Sequence, residues 1–262
     1  MRYGTCLGLS EFENIKIAKE AGFDYIECGF CALSRESDEA FGKYKAALEE
    51  NGLKCEAANG FLPKDLPIIG KDYDPEKIAA YIEKGMQRGS QIGLKMIAFG
   101  SSGARKVPED VSYAEGFRQL GEFLRNVVSP LAEKYGITIV IEPLRKNECN
   151  IINTVKEGTM LAVLADRDNI ACLADLYHMV FEGDTYDDIR QLKGSILHGH
   201  ISNPYSKQGL KRDFPTDAEE FDYQGFVEAL EFAGCERCSI EAQCVDYPAE
   251  AVKAARLLKS LK

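Results

Sequence analysis

The chain has 262 residues and a formal net charge of −10, so it lacks the basic surface that a nucleic-acid backbone requires. Hydrophobic residues make up 45% of the chain, which is ordinary for a globular protein, and no apolar run approaches the roughly 20 residues of a membrane span. These properties exclude nucleic acid and membrane as expected partners and favour a small-molecule ligand.

The N-terminus reads MRYGTCLGLSEF and lacks the long apolar stretch of a secretory signal peptide. Nine cysteines, an odd number, are scattered among apolar segments, so we expect reduced thiols in a cytoplasmic protein. Two Cys-x-x-Cys pairs, Cys28/Cys31 and Cys235/Cys238, belong to separate predicted units. We therefore do not expect them to form a cysteine-zinc site.

Short apolar runs alternate with longer amphipathic runs eight times along the chain, which is typical of repeated βα units around a parallel sheet. The predicted strands are 2–9, 24–30, 53–59, 94–100, 137–143, 170–176, 195–202 and 238–243. The predicted helices are 11–21, 37–51, 75–92, 112–135, 154–165, 184–193, 222–233 and 248–260.

Helix boundary signals support this division. Ser10 and Asp74 are expected N-caps, and Pro75 occupies a first helical turn. Glycines that follow helix ends precede the next strand by only a residue or so, whereas the loops after the strands are longer. This asymmetry predicts a closed (β/α)₈ TIM barrel of one domain over 1–262, with an open doubly wound sheet as the alternative. The glycines are Gly22, Gly52, Gly93, Gly136 and Gly234.

Four consecutive predicted strands end in a polar side chain at the mouth of such a barrel: Glu142, Asp175, His200 and Glu241. Burying one such carboxylate alone would cost several kcal/mol, so four on neighbouring strands indicate a shared cation. Three carboxylates and one imidazole suit Mn²⁺ or Mg²⁺ and tolerate Co²⁺ or Zn²⁺. Taken singly, either glutamate could instead pair with a lysine at the rim, and Asp175 could cap the following helix.

Two of the three histidines, His198 and His200, lie two residues apart on one predicted strand and so share a face. Two residues of strand rise separate them by about 6.5 Å along the strand. His200 is nearer the mouth, level with the other strand ends, and is the expected metal ligand. We expect His198 to lie a layer deeper and to support the ligands through a hydrogen bond.

The motifs IVIEPLRKNECNIINT, LADLYHM, HGHISNP and SIEAQ closely resemble the strand ends of the xylose-isomerase-like sugar isomerases and epimerases. This TIM-barrel group includes ketose 3-epimerases, hydroxypyruvate isomerase and inosose-processing enzymes. NGFLP (59–63) and FGSSGARKVP (99–108) extend the resemblance over most of the chain, and the first of these contributes Asn59 as an expected substrate contact. The resemblance implies that Glu142, Asp175, His200 and Glu241 hold one divalent metal ion, commonly Mn²⁺, Mg²⁺ or Co²⁺.

The same resemblance implies that Glu148 and His178 hold the carbonyl and hydroxyl oxygens of the substrate. One position departs from the ketose 3-epimerase pattern: Ser206 stands where those enzymes carry an arginine six residues after the metal histidine. KRDFP (211–215) resembles an element of other members, so Arg212 is expected to fill that role. Arg105 is a second basic candidate for the substrate.

The expected reaction is proton abstraction beside a carbonyl group by Glu142 or Glu241, through a metal-stabilised enediolate, which leads to epimerisation or isomerisation. A dehydratase acting on an inosose or related keto-polyol is the first alternative. The others are a non-catalytic sugar-binding barrel or subunit, and a phosphodiesterase of the apurinic endonuclease type, against which three histidines and the negative charge argue. By analogy with related barrels, we expect a homodimer or homotetramer.

Overall fold

A computed structural model describes residues 1–261, and in it eight parallel strands close into a barrel. Each strand pairs with the next in sequence, and β8 (Arg237–Ile240) returns to pair with β1 (Arg2–Cys6). The predicted (β/α)₈ architecture is confirmed, and the alternative of an open sheet is wrong. The remaining strands are β2 (Tyr25–Gly29), β3 (Cys55–Asn59), β4 (Met96–Phe99), β5 (Thr138–Ile141), β6 (Ile170–Asp175) and β7 (Ile196–Ile201).

Helices join consecutive strands and pack on the barrel through a continuous apolar core. Every predicted helix has a counterpart at its place in the chain. The helices of residues 1–261 are α1 (Asn14–Ala21), α2 (Phe30–Arg35), α3 (Asp38–Glu50), α4 (Pro75–Ile92), α5 (Ser102–Arg105), α6 (Tyr113–Phe123), α7 (Ser129–Lys134), α8 (Val155–Ala165), α9 (Leu176–Glu182), α10 (Tyr186–Gln191), α11 (Tyr223–Ala233) and α12 (Tyr247–Ser260).

Three short helices, α2, α5 and α9, were not predicted, because the sequence pattern assigned one helix to each βα unit. Helices α2 and α9 begin directly after strands β2 and β6, and α5 begins three residues after β4. Short helices at this position lie on the face of the barrel where the strands end. Helix α9 bears on the site because Asp175 is both the last residue of β6 and the N-cap of the helix.

The predicted helix 112–135 is interrupted in the structure. Between α6 and α7, residues Leu124–Val128 form a π-helical turn. Pro130 lies in the first turn of α7 and has no backbone N–H to donate to the preceding turn. The interruption follows from this missing donor, since a local shift of the hydrogen-bond ladder accommodates it.

One of the two predicted helix starts is wrong. Asp74 caps α4 as expected, accepting a hydrogen bond from the Lys77 N–H at 3.0 Å. Ser10 instead lies inside a 3₁₀ turn over Leu9–Glu11, and α1 begins only at Asn14. The Glu11 carboxylate accepts from the Gly8 N–H at 2.8 Å, so this turn has its own cap ahead of the helix.

The inside of the barrel changes character along its axis. Because side chains alternate along a strand, Val140 shares a face with Glu142, and Leu173 shares a face with Asp175. An apolar cluster fills part of this interior, formed by Ala98, Val140, Ala171 and Leu173. Polar side chains that are fully buried occupy another part: Glu27, His198, His200 and Ser239.

Within residues 1–261, no helix has both the length and the apolar character needed to cross a membrane.

Candidate metal and active site

Four side chains from neighbouring strand ends converge at the mouth of the barrel. Glu142 follows β5, Asp175 ends β6, His200 lies on β7 and Glu241 follows β8. His200 Nδ1 lies 2.9 Å from Glu241 Oε2, 3.2 Å from Glu142 Oε1 and 3.6 Å from Asp175 Oδ2. One ligand atom from each residue lies within 4.8 Å of the others, so the four could hold one ion.

The donor set fits a divalent cation. One ring nitrogen cannot satisfy three carboxylates, because Nδ1 carries at most one proton. Glu241 Oε2 is buried and accepts no well-directed hydrogen bond, although charged groups lie close to it. Carboxylate oxygens crowded together in this way need positive charge, and three oxygens with one nitrogen match the preferences of Mn²⁺ and Mg²⁺.

The two carboxylate oxygens of Asp175 have different roles, one in capping a helix and one in the site. Oδ1 accepts hydrogen bonds from the backbone N–H groups of Tyr177 at 2.7 Å and of His178 at 3.3 Å, which caps α9. Oδ2 faces His200 and Arg212. The helix-cap interpretation and the ligand interpretation of this residue are therefore compatible, and the cap fixes the direction in which the free oxygen points.

Arg212 supplies positive charge to the same cluster. Its Nη1 lies 2.7 Å from Asp175 Oδ2 and its Nη2 lies 2.6 Å from Glu241 Oε2, while the guanidinium packs over the Tyr177 ring. The residue is 8% exposed and belongs to the long loop between β7 and α11. The sequence expectation that a loop arginine reaches the site at this point of the chain agrees with this placement.

The surroundings shift the pKa values of the three clustered carboxylates in different directions. Burial, together with the charge of Glu241, raises the pKa of Glu142. Burial alone would also raise the pKa of Asp175 and Glu241, but Arg212 and His200 together outweigh it, so the pKa of Asp175 lies well below its usual value and that of Glu241 is lowered. The guanidinium thus helps to keep two of the three carboxylates ionised.

The cluster opens into a cavity of about 410 Å³, which is lined by Glu142, Glu241 and Arg212. Glu148 and His178 line this cavity as well. Glu148 Oε1 lies 2.7 Å from Arg145 Nε and 2.8 Å from Lys211 Nζ, two cations that the sequence reasoning did not single out. Burial alone would raise the pKa of Glu148, but Lys211 and His178 hold it below its usual value. The cavity therefore presents an ionised Glu148 beside positive groups, an arrangement suited to a polyhydroxylated ligand.

His178 has a defined hydrogen-bond role at the wall of this cavity. Its Nδ1 accepts a hydrogen bond from the backbone N–H of Arg145 at 3.2 Å. In the neutral ring the proton is then on Nε2, which is available to donate to a ligand oxygen.

Asn59, at the end of β3, contacts the cluster directly. Its Nδ2 donates to Glu241 Oε1 at 3.1 Å and lies 3.4 Å from Cys6 Sγ. Asn59 and Cys6 also line a second cavity of about 500 Å³. The amide therefore orients one oxygen of Glu241 and leaves the other toward His200 and Arg212.

Arg105 lies outside the cavity, which differs from the sequence expectation that it contacts the substrate. It is fully buried, and its guanidinium donates to backbone carbonyl oxygens: Phe99 at 2.6 Å, Glu142 at 2.8 Å and Ile152 at 3.3 Å. The residue joins the ends of β4 and β5 to the loop that follows. The sequence motif offered this arginine as a basic group for the substrate, because it could not indicate the direction of the side chain.

His198 lies beneath His200, and its ring is outside the four-residue cluster. The expected hydrogen bond to a carboxylate exists, but the partner is Glu27 on β2. Glu27 also contacts His200, and sequence reasoning missed it. The signal that could have revealed it is a single acidic residue inside the apolar strand YIECG.

The comparison with known families agrees with this architecture. Residues 15–261 match the sequence profile of a family described as a xylose isomerase-like TIM barrel. The chain is also similar in fold to the crystal structure of a D-psicose 3-epimerase with D-tagatose from Clostridium cellulolyticum, with a TM-score of 0.82 and 18% identity over 100% of this chain and 99% of that chain.

Two curated relatives are similar in sequence. The D-psicose 3-epimerase of Agrobacterium fabrum is 25% identical in an alignment of 197 residues that covers 71% of this chain and 64% of the relative, so the match spans less than two thirds of that enzyme. The 3-dehydro-D-guloside 4-epimerase of Escherichia coli is 27% identical over 231 residues, covering 82% of this chain and 84% of the relative. Both names describe inversion at a carbon of a sugar.

Proposed function

Because the chain belongs to the xylose isomerase-like TIM-barrel family, we propose that it is a divalent-metal-dependent sugar epimerase. The substrate is a small sugar with a carbonyl group, and the reaction removes the proton from the carbon beside that carbonyl. The observation that carries the proposal is the convergence of three carboxylates and one imidazole at the mouth of the barrel. The names of the two curated relatives, both sugar epimerases, support the same reaction class.

Glu142, Asp175, His200 and Glu241 are the proposed metal ligands, with Mn²⁺ as the first choice among Mn²⁺, Mg²⁺, Co²⁺ and Zn²⁺. When bound, such an ion would polarise the substrate carbonyl and stabilise the negative charge that develops on its oxygen. The ligand set is rich in hard oxygen donors, which favours Mn²⁺ or Mg²⁺ over softer ions.

Glu142 and Glu241 are the proposed acid–base pair. One carboxylate takes the proton from the carbon beside the carbonyl, which leaves an enediolate, and a carboxyl group on the other face returns a proton to the same carbon with inverted configuration. Return of the proton to the neighbouring carbon would give an isomer instead. Both side chains line the 410 Å³ cavity, so both are accessible to one ligand.

Three further residues of the cavity wall are proposed to bind the sugar. His178 donates from Nε2 and Glu148 accepts from hydroxyl groups, while Arg212 donates to an oxygen near the reacting carbon. Asn59 holds Glu241 in place from the side of β3. Arg105 is left out of this set because its guanidinium is occupied by backbone carbonyls.

The test is the exchange of a carbon-bound proton with solvent. The purified protein is incubated in D₂O with Mn²⁺ and a panel of ketoses and keto-glycosides, and deuterium uptake and product configuration are followed by NMR. We expect exchange at one carbon together with the epimer. Glu142→Gln and Glu241→Gln should each reduce the rate by at least about 10³-fold without unfolding the barrel, since each removes an acid–base group.

Glu236→Gln is the matched control, because this glutamate has a side chain that is 82% exposed and lies outside the cavity. Chelation should abolish exchange, and added Mn²⁺ should restore it. Full activity of the metal-stripped protein would contradict the metal-dependent reaction, and a dehydrated product without an epimer would assign the chain to the lyase reaction instead.

A further inference from the structure

We propose that Glu27 is a positioning residue that accepts a hydrogen bond from His200 Nε2 and so directs His200 Nδ1 toward the proposed metal site. This inference rests on the proposed metal site and extends it to a residue on a strand three positions away around the barrel. Glu27 lies on β2, whereas both histidines that it contacts lie on β7. The link therefore crosses the barrel interior.

The carboxylate of Glu27 bridges the two histidines. Oε1 lies 2.9 Å from His200 Nε2, and Oε2 lies 2.9 Å from His198 Nε2. All three side chains are completely buried.

Each of these Nε2 atoms lies at hydrogen-bond distance from a carboxylate oxygen, so Glu27 is placed to accept the Nε2 proton of both rings. The other ring nitrogen of His200, Nδ1, faces Glu142, Asp175 and Glu241, and it is the atom that would give its lone pair to a bound ion. Without Glu27, the neutral ring could instead carry its proton on Nδ1 and donate it to Glu142 or Glu241. That form cannot bind a metal through Nδ1.

His198 completes the arrangement by anchoring Glu27 from below. Its Nε2 donates to Oε2, and its Nδ1 is buried without a hydrogen-bond partner, which is tolerable for a lone pair but would be costly for an N–H group. Ser239 Oγ lies 3.5 Å from the same Nε2 and 2.9 Å from the Tyr25 hydroxyl. The carboxylate is thus held on both oxygens, and its position relative to His200 is fixed.

The group Glu27, His198 and His200 also has the composition of a small metal site. A second ion there would require His200 to give up both ring protons, since Nδ1 already faces the first cluster. The three side chains offer no further donor and are shut off from solvent. The geometry therefore favours one metal ion per chain with Glu27 as a hydrogen-bond acceptor.

The experiment compares metal binding by the wild-type protein, Glu27→Gln and Glu56→Gln, using calorimetric titration with Mn²⁺. A glutamine at position 27 keeps the shape but accepts with only one of its two terminal atoms, so it cannot serve both imidazoles. We expect about 10- to 100-fold weaker binding by Glu27→Gln, at an unchanged stoichiometry of one. Glu56 is the matched control, since it is a mostly buried carboxylate on the adjacent strand β3 whose partners are Arg2 and Arg237. Its variant should bind Mn²⁺ normally even if it is less stable.

A second measurement needs no variant. In the wild-type protein loaded with diamagnetic Zn²⁺, ¹⁵N NMR of the histidine rings should show a proton on His200 Nε2 and coordination through Nδ1. Coordination through Nε2, unchanged affinity of Glu27→Gln, or two ions per chain would each overturn the assignment of Glu27 while leaving the metal site intact. A wild-type protein that binds no divalent ion would overturn the proposed function and this inference together.

Discussion

Gly100 packs directly against the carboxylate of Glu142, so closely that a Cβ atom at position 100 would overlap Glu142 Oε2. Gly100 follows the last residue of β4, and Glu142 follows the last residue of the adjacent strand β5. The missing side chain therefore provides the space in which a proposed metal ligand lies.

Gly100→Ala should displace the Glu142 carboxylate while the barrel remains folded. Because a shift of about 1 Å in a reacting group can reduce the rate about 100-fold, we expect a loss of this order in proton exchange and a weaker affinity for Mn²⁺. Exchange kinetics and metal titration measure the two effects. Gly42→Ala, in the exposed middle of α3, is the control, since its Cβ would meet no atom within 4 Å and should stabilise the helix by about 0.5–1 kcal/mol. Equal activity of both alanine variants would contradict the packing argument.

His200→Asn and His198→Asn should differ in metal content. His200 Nδ1 is the nitrogen of the proposed site, so its replacement should leave the protein with less than about a tenth of an ion per chain after dialysis. His198 contacts Glu27 rather than the ligand cluster, so its variant should retain about one ion at reduced affinity. Elemental analysis of both purified variants measures the difference. Retention of metal by His200→Asn together with its loss from His198→Asn would reverse the assignment of the two residues.

Arg105→Met should destabilise the fold rather than weaken substrate binding. The variant would leave three backbone carbonyls without their charged donor at a fully buried position. We expect a loss of about 2–4 kcal/mol in the free energy of unfolding, measured in urea, and a smaller loss for Arg105→Lys, which keeps the charge and can still donate hydrogen bonds but lacks the planar guanidinium. An unchanged unfolding midpoint combined with a raised KM would indicate that Arg105 contacts the substrate after all.

Asp184→Asn should stabilise the protein at neutral pH and have little effect in acid. Burial raises the pKa of Asp184 to about 6, above the value of about 3.9 in an unfolded chain. The folded state thus favours the protonated carboxyl, and stability is lost as the pH rises from about 4 to 6. The side chain is partly exposed, so solvent screening reduces the effect to about 1 kcal/mol above pH 6.

The amide oxygen that this substitution introduces can still accept the hydrogen bond that the Val155 N–H now donates to Asp184 at 3.0 Å. Urea unfolding of both proteins at pH 4 and pH 7.5 is the measurement, with the exposed Asp72→Asn as control. If the stability difference between Asp184→Asn and the wild type did not grow from pH 4 to pH 7.5, the raised pKa of Asp184 would be contradicted.

The strand-end residues could be predicted because two simple regularities place them. Strand alternation fixes which side chains face the barrel interior, and the carboxyl ends of parallel strands all lie at one mouth. The same rise along the strand separated His200 from His198. These inferences need no knowledge of which loops touch each other.

Contacts across the barrel and between loops were beyond that reasoning. Glu27 meets His200 only because β2 and β7, three strands apart around the closed ring, both direct side chains into its interior, and a one-dimensional pattern does not specify such contacts. Lys211 reaches Glu148 from a separate loop, and Arg145 reaches it from within the same loop, whose conformation depends on tertiary packing. The expectation that Arg105 contacts the substrate was wrong for the same reason. Arg105 ends the short helix α5, which the sequence pattern did not predict, and its side chain is buried inside the protein.

The chemistry and the recognition of this site are carried by different parts of the chain. The proposed metal ligands belong to strand ends that the barrel holds rigidly, whereas Arg212 and Lys211 belong to a loop fastened by isolated bridges from Asp213 to Asn203 and to Gln243. Changes in that loop that spare Arg212, which contacts Asp175 and Glu241, could therefore alter which proposed substrate is accepted without disturbing the metal ligands. Diversification of the other residues of 203–221 is accordingly a direct evolutionary or engineered route from one substrate to another on this scaffold.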